Sequence, residues 1–143
     1  MKKIAAIQRQ TKYCQKIRDV LAHKGHATNA ELLAELHKSH ACLSATTVHR
    51  ATARLAERGL IAIAPPTHDG SMRYDTNIVP HDHFLCTSCG MLRDADIKET
   101  VVRILESHIT DCHISGRLTI GGICKQCNYV PVMEVLNKPE RNQ

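Results

Sequence analysis

SATTVHRATARLAERG, residues 44–59, decides the fold of the N-terminal half. Ser44 is placed to cap a helix, Val48, Ala51 and Leu55 fall on one apolar stripe, and Gly59 supplies a C-terminal stop. Arg50, Arg54 and Arg58 lie on the opposite face. Upstream, Ile17, Val20 and Leu21 recur at helical spacing in a segment from Thr11 to about His23, which Gly25 ends. TNAE, residues 28–31, reads as a capping box opening a second helix to about Lys38, with Leu32, Leu33 and Leu36 on one stripe. Downstream, LIAIA (60–64) reads as a strand, PPTHDGS (65–71) as a turn containing Asp-Gly, and MRYD (72–75) as the returning strand. Three helices and a hairpin make a winged helix. In such a unit the helix after the second turn enters the DNA major groove, which is ~12 Å wide. The side chains placed to meet base edges or phosphates are Ala45, Thr46, Thr47, His49 and Arg50, with Arg54 one turn on.

Charge is distributed unevenly along the 143 residues. Residues 1–79 hold 12 Lys+Arg against 6 Asp+Glu, a net of +6, whereas residues 80–143 hold 7 against 8, a net of −1. We therefore expect two domains, 1–79 and 80–143, with the basic one offered to a polyanion. A solvated helical surface or a protein-binding winged helix is the competing reading, and the charge excess favours DNA. No stretch approaches the ~18 apolar residues that span a bilayer, and MKKIAAIQRQ lacks a signal-peptide core, so a cytoplasmic protein without a membrane partner is expected. Seven cysteines, an odd number, then point to metal or buried thiols rather than disulfides.

Two C-x-x-C pairs, Cys86/Cys89 and Cys124/Cys127, sit in the Gly-bearing turns CTSCG and GGICKQC. About 0.3 such pairs are expected by chance in this composition, so two form a specific signal for a four-sulfur structural Zn2+ site. The 34 intervening residues exceed a compact zinc ribbon, so the ion should staple a small domain. Within it DIKETVVRILESHI (96–109) reads as a helix with Ile97, Val101, Ile104 and Leu105 inward, and HISGRLTIGG (113–122) as a strand. The expected fold class is α+β. The tail from Asn128 reads either as a short helix at a dimer interface or as a flexible end.

HDH, residues 81–83, precedes the first knuckle. On a strand His81 and His83 share a face, while Cys86, at an odd offset, faces the other way, so one short strand should serve two sites. Alone the pair is weak evidence, because about 0.6 H-x-H pairs are expected by chance from ten histidines.

Taken together, HATNAEL (26–32), TTVHR (46–50), RYD (73–75), HDH, and C-x-x-C-G followed by G-I-C-x-x-C resemble the ferric uptake regulator family, in order and spacing from Arg9 to Cys127. The resemblance implies a homodimeric, metal-responsive transcriptional repressor that binds a double-stranded DNA operator through its winged helix and dimerises through its C-terminal domain. It also implies a regulatory site at His26, Asp75, His81, His83 and Asp94. Aspartate at Asp94 is similar to the family's peroxide-sensing branch, where iron-sensing members usually carry glutamate; no cysteine is placed as in the zinc-sensing branch. Three departures stand out. His49 replaces a tyrosine of the recognition helix, Tyr13-Cys14 replace a Gln-Arg pair, and Gly116 stands where a third metal site would need histidine. The stretch from Asp94 to Cys124 is also shorter than usual in the family.

Imidazole and carboxylate donors without thiolate are hospitable to Fe2+, Mn2+ and Zn2+. With His26 and Asp75 in one half and the other three ligands in the second, such an ion would clamp the halves about a hinge near residues 76–80. An enzyme is not expected: zinc deaminases need H-x-E and Pro-Cys-x-x-Cys, whereas no Glu follows either histidine at that spacing and Leu85 precedes the knuckle. Lone Cys14, Cys42 and Cys112 are read as buried small hydrophobes.

Overall fold

The computed structural model describes residues 2–128, with side chains from residue 12 onward. The expectation for the tail lies almost wholly outside the described residues. Helix α1 spans Lys2–Lys24, strand β1 His26–Thr28, helix α2 Asn29–His37 and helix α3 Ala45–Glu57. Strands β2 (Ala62–Ala64) and β3 (Arg73–Asp75) form the wing. Strands β4 (Asp82–Cys86) and β5 (Leu92–Ala95), helix α4 (Lys98–His108) and strand β6 (Thr119–Gly122) follow. This is the expected α+β chain with a winged helix-turn-helix.

Local chemistry explains the helix ends. Thr28 Oγ1 accepts the Glu31 N–H at 3.2 Å and Glu31 Oε2 accepts the Thr28 N–H at 2.7 Å, which closes the capping box. Ser44 Oγ accepts the Thr47 N–H at 3.2 Å. At the other end of α3, Gly59 takes φ +64°, the left-handed conformation glycine adopts without strain, and the Leu60 N–H bonds Leu55 O at 2.9 Å. Ile17, Leu21, Leu32, Leu36, Val48, Leu55, Ile61 and Tyr74 make one core beneath the three helices. Val20 and Leu33 only flank it. Arg50, Arg54 and Arg58 are exposed.

Several elements differ from the sequence expectation. Helix α1 starts at Lys2 rather than Thr11; the added residues contain no helix breaker and several good helix formers. Strands β1 and β5 were not anticipated. They are three and four residues long and exist through pairing, β1 with β3 in the sheet β1-β3-β2 and β5 with β4 in the sheet β5-β4-β6. The strand expected over 113–122 is confined to Thr119–Gly122, which runs parallel to β4. Asp111 at φ 62° and Gly116 lie in the irregular stretch before it.

Helix α4 also departs from its expected packing. None of its residues is buried, and Ile104, placed inward by periodicity, is 61% exposed. A sheet of three short strands gives this helix too little apolar surface to cover its stripe within one chain. Cys42 and Cys112 are exposed rather than buried, and Cys14 is half-buried.

Candidate metal centres and nucleic-acid surface

Strand register builds the mixed site. Across β1 and β3, His26 is paired with Asp75; across β4 and β5, His83 is paired with Asp94. Cross-strand partners project to the same face, so each sheet presents a neighbouring imidazole and carboxylate. His81, just before β4, is the fifth member. His26 Nε2 lies 3.2 Å from Asp75 Oδ2 and 2.9 Å from Asp94 Oδ1, and His81 Nε2 lies 3.1 and 3.3 Å from the same oxygens. His83 Nε2 is 3.8 Å from Asp94 Oδ1. The five ligating atoms fall within 4.8 Å of one another, and they come from both sheets.

The protonation pattern shows what this cluster can hold. His81 Nδ1 donates to Val79 O at 2.6 Å, which leaves a lone pair on Nε2. The Nε2 atoms of His26, His81 and His83, with Asp75 Oδ2, are buried and make no hydrogen bond. Buried acceptors that converge without donors are costly unless a cation sits among them. Two carboxylates match the charge of a divalent ion, and the nitrogen and oxygen donors suit a first-row metal. Burial opposes charge on His81, yet the Val79 carbonyl and the Asp94 and Asp75 carboxylates outweigh it and raise its pKa. Burial, then the neighbouring His81 and His26, push His83 the other way.

Asp82 is the organiser that the sequence reading missed. It lies between the two histidines, so its side chain faces away from them, and it is fully buried. Oδ2 accepts the N–H groups of Ile97 at 3.1 Å and Lys98 at 2.8 Å, and Oδ1 accepts that of Leu118 at 2.9 Å. The Leu118 bond leads these contacts in holding its carboxyl below the usual range. One carboxylate thereby ties β4 to the start of α4 and the approach to β6. The available signal was an acid on the inward phase of a strand, which needs N–H donors from elsewhere in the chain.

Cys86, Cys89, Cys124 and Cys127 bring their sulfurs within 4.8 Å of one another, with Cys89 and Cys124 3.8 Å apart. Zinc–sulfur bonds of ~2.3 Å give a tetrahedron with edges of about 3.8 Å. Backbone N–H groups of Cys89 and Cys124 approach Cys86 Sγ at 3.5 and 3.3 Å and lower its pKa to about 6. Ser88 favours the Cys127 thiolate, but Cys124, Cys89, burial and Cys86 together push that thiol up to about 12. Four clustered sulfurs cannot all ionise without a cation, and the donor set fits zinc. Gly90, at φ +74°, closes the first knuckle turn.

In the N-terminal unit, Thr46, His49, Arg50 and Arg54 are exposed on α3 and Thr47 is half-buried. Tyr13 and Cys14 of α1 line a small cavity with Thr47, Arg50 and Arg54. This surface combines cations with hydroxyls and an imidazole, the groups that contact phosphates and base edges.

Among the described residues no helix is long and apolar enough to cross a membrane. The sequence profile of the ferric uptake regulator family matches residues 6–115. The peroxide-responsive repressor PerR of Staphylococcus saprophyticus is 27% identical over 110 residues, covering 76% of this chain and 74% of its own. Among solved structures, the Helicobacter pylori ferric uptake regulator superposes with TM-score 0.66 at 21% identity, covering 91% of both chains. The Campylobacter jejuni peroxide stress regulator gives TM-score 0.64 at 22% identity, covering 84% of this chain and 92% of that one. These relatives are regulators rather than enzymes. With the family profile spanning most of its length, this chain belongs to the ferric uptake regulator family.

Proposed function

We propose that this protein is a metal-dependent, DNA-binding transcriptional repressor, responsive to peroxide through iron or manganese, that acts as a homodimer in the cytoplasm. The observation that carries the reading is the convergence of three buried ring nitrogens and the buried Asp75 Oδ2, none with a hydrogen bond, with the more exposed Asp94 carboxylate on one point. His26 and Asp75 belong to the proposed DNA-binding domain, residues 1–79. His81, His83 and Asp94 belong to the proposed dimerisation domain, residues 80–143. The regulatory ion supplies positive charge that holds all five side chains together. Zinc in the Cys86, Cys89, Cys124 and Cys127 site keeps the second domain folded.

The segment 76–80 is the hinge. Its backbone is irregular, and Ile78 and Val79 are 55% and 66% exposed. Holding the two domains in one orientation sets the recognition helices of a dimer at the spacing of successive major grooves, ~34 Å. Moving the population from mostly open to mostly closed takes about 5 kcal/mol of preferential binding. Thr46, Thr47, His49, Arg50 and Arg54 then face the operator. The exposed apolar side of α4, around Ile104, fits the dimer contact. Aspartate at position 94 and the likeness to peroxide-responsive relatives favour peroxide response over plain metal-uptake control.

DNA affinity measured with and without Mn2+, zinc retained, tests the clamp, and equal affinities would remove it. Peroxide treatment of the Fe2+ form is expected to add one oxygen, about 16 Da, to the peptide of His26 or His81. An unmodified peptide, with DNA affinity still iron-dependent, points instead to iron-uptake control. A protein-interaction module would show no salt-dependent DNA affinity at all.

A further inference from the structure

His49, the departure in the recognition helix, is not held by its own helix alone. Asn29 Nδ2 lies 3.1 Å from His49 Nδ1, and Asn29 Oδ1 lies 2.9 Å from Thr52 Oγ1. Thr52 is completely buried, and Asn29 is the first residue of α2, inside its capping box, so both supports sit on fixed backbone. The chain of contacts therefore runs from the core, through an amide, to an exposed imidazole.

Hydrogen-bond chemistry gives this chain a direction. The Thr52 hydroxyl has one proton and three oxygens near it: Asn29 Oδ1 at 2.9 Å, His49 O at 3.1 Å and Val48 O at 3.2 Å. The two carbonyls already serve the helix ladder, and the amide oxygen is the nearest. With its oxygen turned to Thr52, Asn29 presents its NH2 to His49. That group only donates, so His49 Nδ1 must accept and the ring proton resides on Nε2.

We propose that Asn29 is a specificity-positioning residue, fixing His49 as an Nε2–H donor that reads an acceptor on a base edge. This rests on the DNA-binding reading above. Guanine N7 or O6, adenine N7 and thymine O4 offer such acceptors in the major groove, whereas the cytosine N4 amino group only donates. At one symmetric position in each half-site, the protein then prefers an acceptor-bearing base to cytosine by about tenfold. Without Asn29 the ring exchanges tautomers and that preference flattens, while phosphate contacts through Arg50 and Arg54 persist.

Two measurements test this on the full-length, zinc-containing protein. Long-range 15N–1H NMR at a pH where imidazole is neutral should show His49 protonated on Nε2, and Asn29→Ala should show a mixture. A proton on Nδ1, or an unchanged tautomer in the variant, overturns the proposal. Selection from a randomised operator pool with Mn2+ present should show the acceptor preference in the parent and its loss in both Asn29→Ala and His49→Ala. Asn29→Ala should add no further loss in the His49→Ala background. Identical base profiles for the parent and Asn29→Ala overturn the specificity role. A parent protein that binds no DNA sinks the DNA-binding reading and base selection together, and leaves the tautomer to decide the Asn29–His49 relationship separately. Thr52→Ser, which retains the hydroxyl, should keep both tautomer and preference; loss of either in a folded Thr52→Ser protein counts against the stated direction.

Discussion

Arg73 reaches from the wing sheet to the first cysteine knuckle, its Nη2 donating to the Gly90 carbonyl at 2.7 Å. Arg73 is buried, and it lies two residues from Asp75 on the same strand. The contact therefore joins the element carrying one proposed regulatory ligand to the turn carrying two proposed zinc ligands.

Replacing Arg73 by Met should remove this strut while filling its space. A charge-assisted hydrogen bond contributes about 1.5–3 kcal/mol, and the low end is expected here because Nη1 is buried without a partner. Calorimetric titration should show Mn2+ affinity reduced about tenfold with zinc content unchanged. Unaltered Mn2+ affinity would show that the strut does not position Asp75.

Asp82→Asn should be more damaging than its small change in shape implies. Its amide turns at least one N–H group toward the backbone donors of Ile97, Lys98 or Leu118, leaving donors unpaired in a buried site. A loss of about 2–4 kcal/mol is expected in denaturant unfolding. Weaker Mn2+ binding should accompany it, since His81 and His83 flank the displaced residue.

Removing zinc should unfold one lobe before the other. Chelation under mildly denaturing conditions is expected to abolish amide protection in β4, β5 and β6 while the α1–α3 core stays protected, as read by hydrogen exchange. Replacing Cys14, Cys42 and Cys112 together by Ser should leave zinc stoichiometry intact, because none belongs to the sulfur cluster. Lost zinc in that variant would redraw the site.

Thr28→Ala opens the capping box and should cost about 1 kcal/mol in thermal unfolding. The same strand holds His26, so a modest loss of Mn2+ affinity should follow. Glu31→Gln, which keeps an acceptor at that position, should be milder.

Helices α2 and α3 were legible from end to end because each carries its own start signal, Thr28 and Ser44, and its own apolar stripe, whereas α1 showed only a stripe and its start was misplaced. Strands β1 and β5 were not legible, since three or four residues show no period of their own and become strands by pairing, β1 with distant β3 and β5 with neighbouring β4. The sulfur ligands stand out by spacing alone. The mixed site became legible only through family resemblance, because its five members are spread from residue 26 to residue 94 and meet through sheet register. Ile104 was misplaced since periodicity reports a helix's apolar side without saying which surface covers it. The work of Asp82 and Asn29 depends on topology, which no local window contains.

Pairing His26 opposite Asp75 and His83 opposite Asp94 also makes cation loading a check on how the strands have aligned. Sliding either pair by a single residue turns a ligand to the wrong side. Under the proposed clamp, a misthreaded molecule would then fail to capture the ion and to close on DNA.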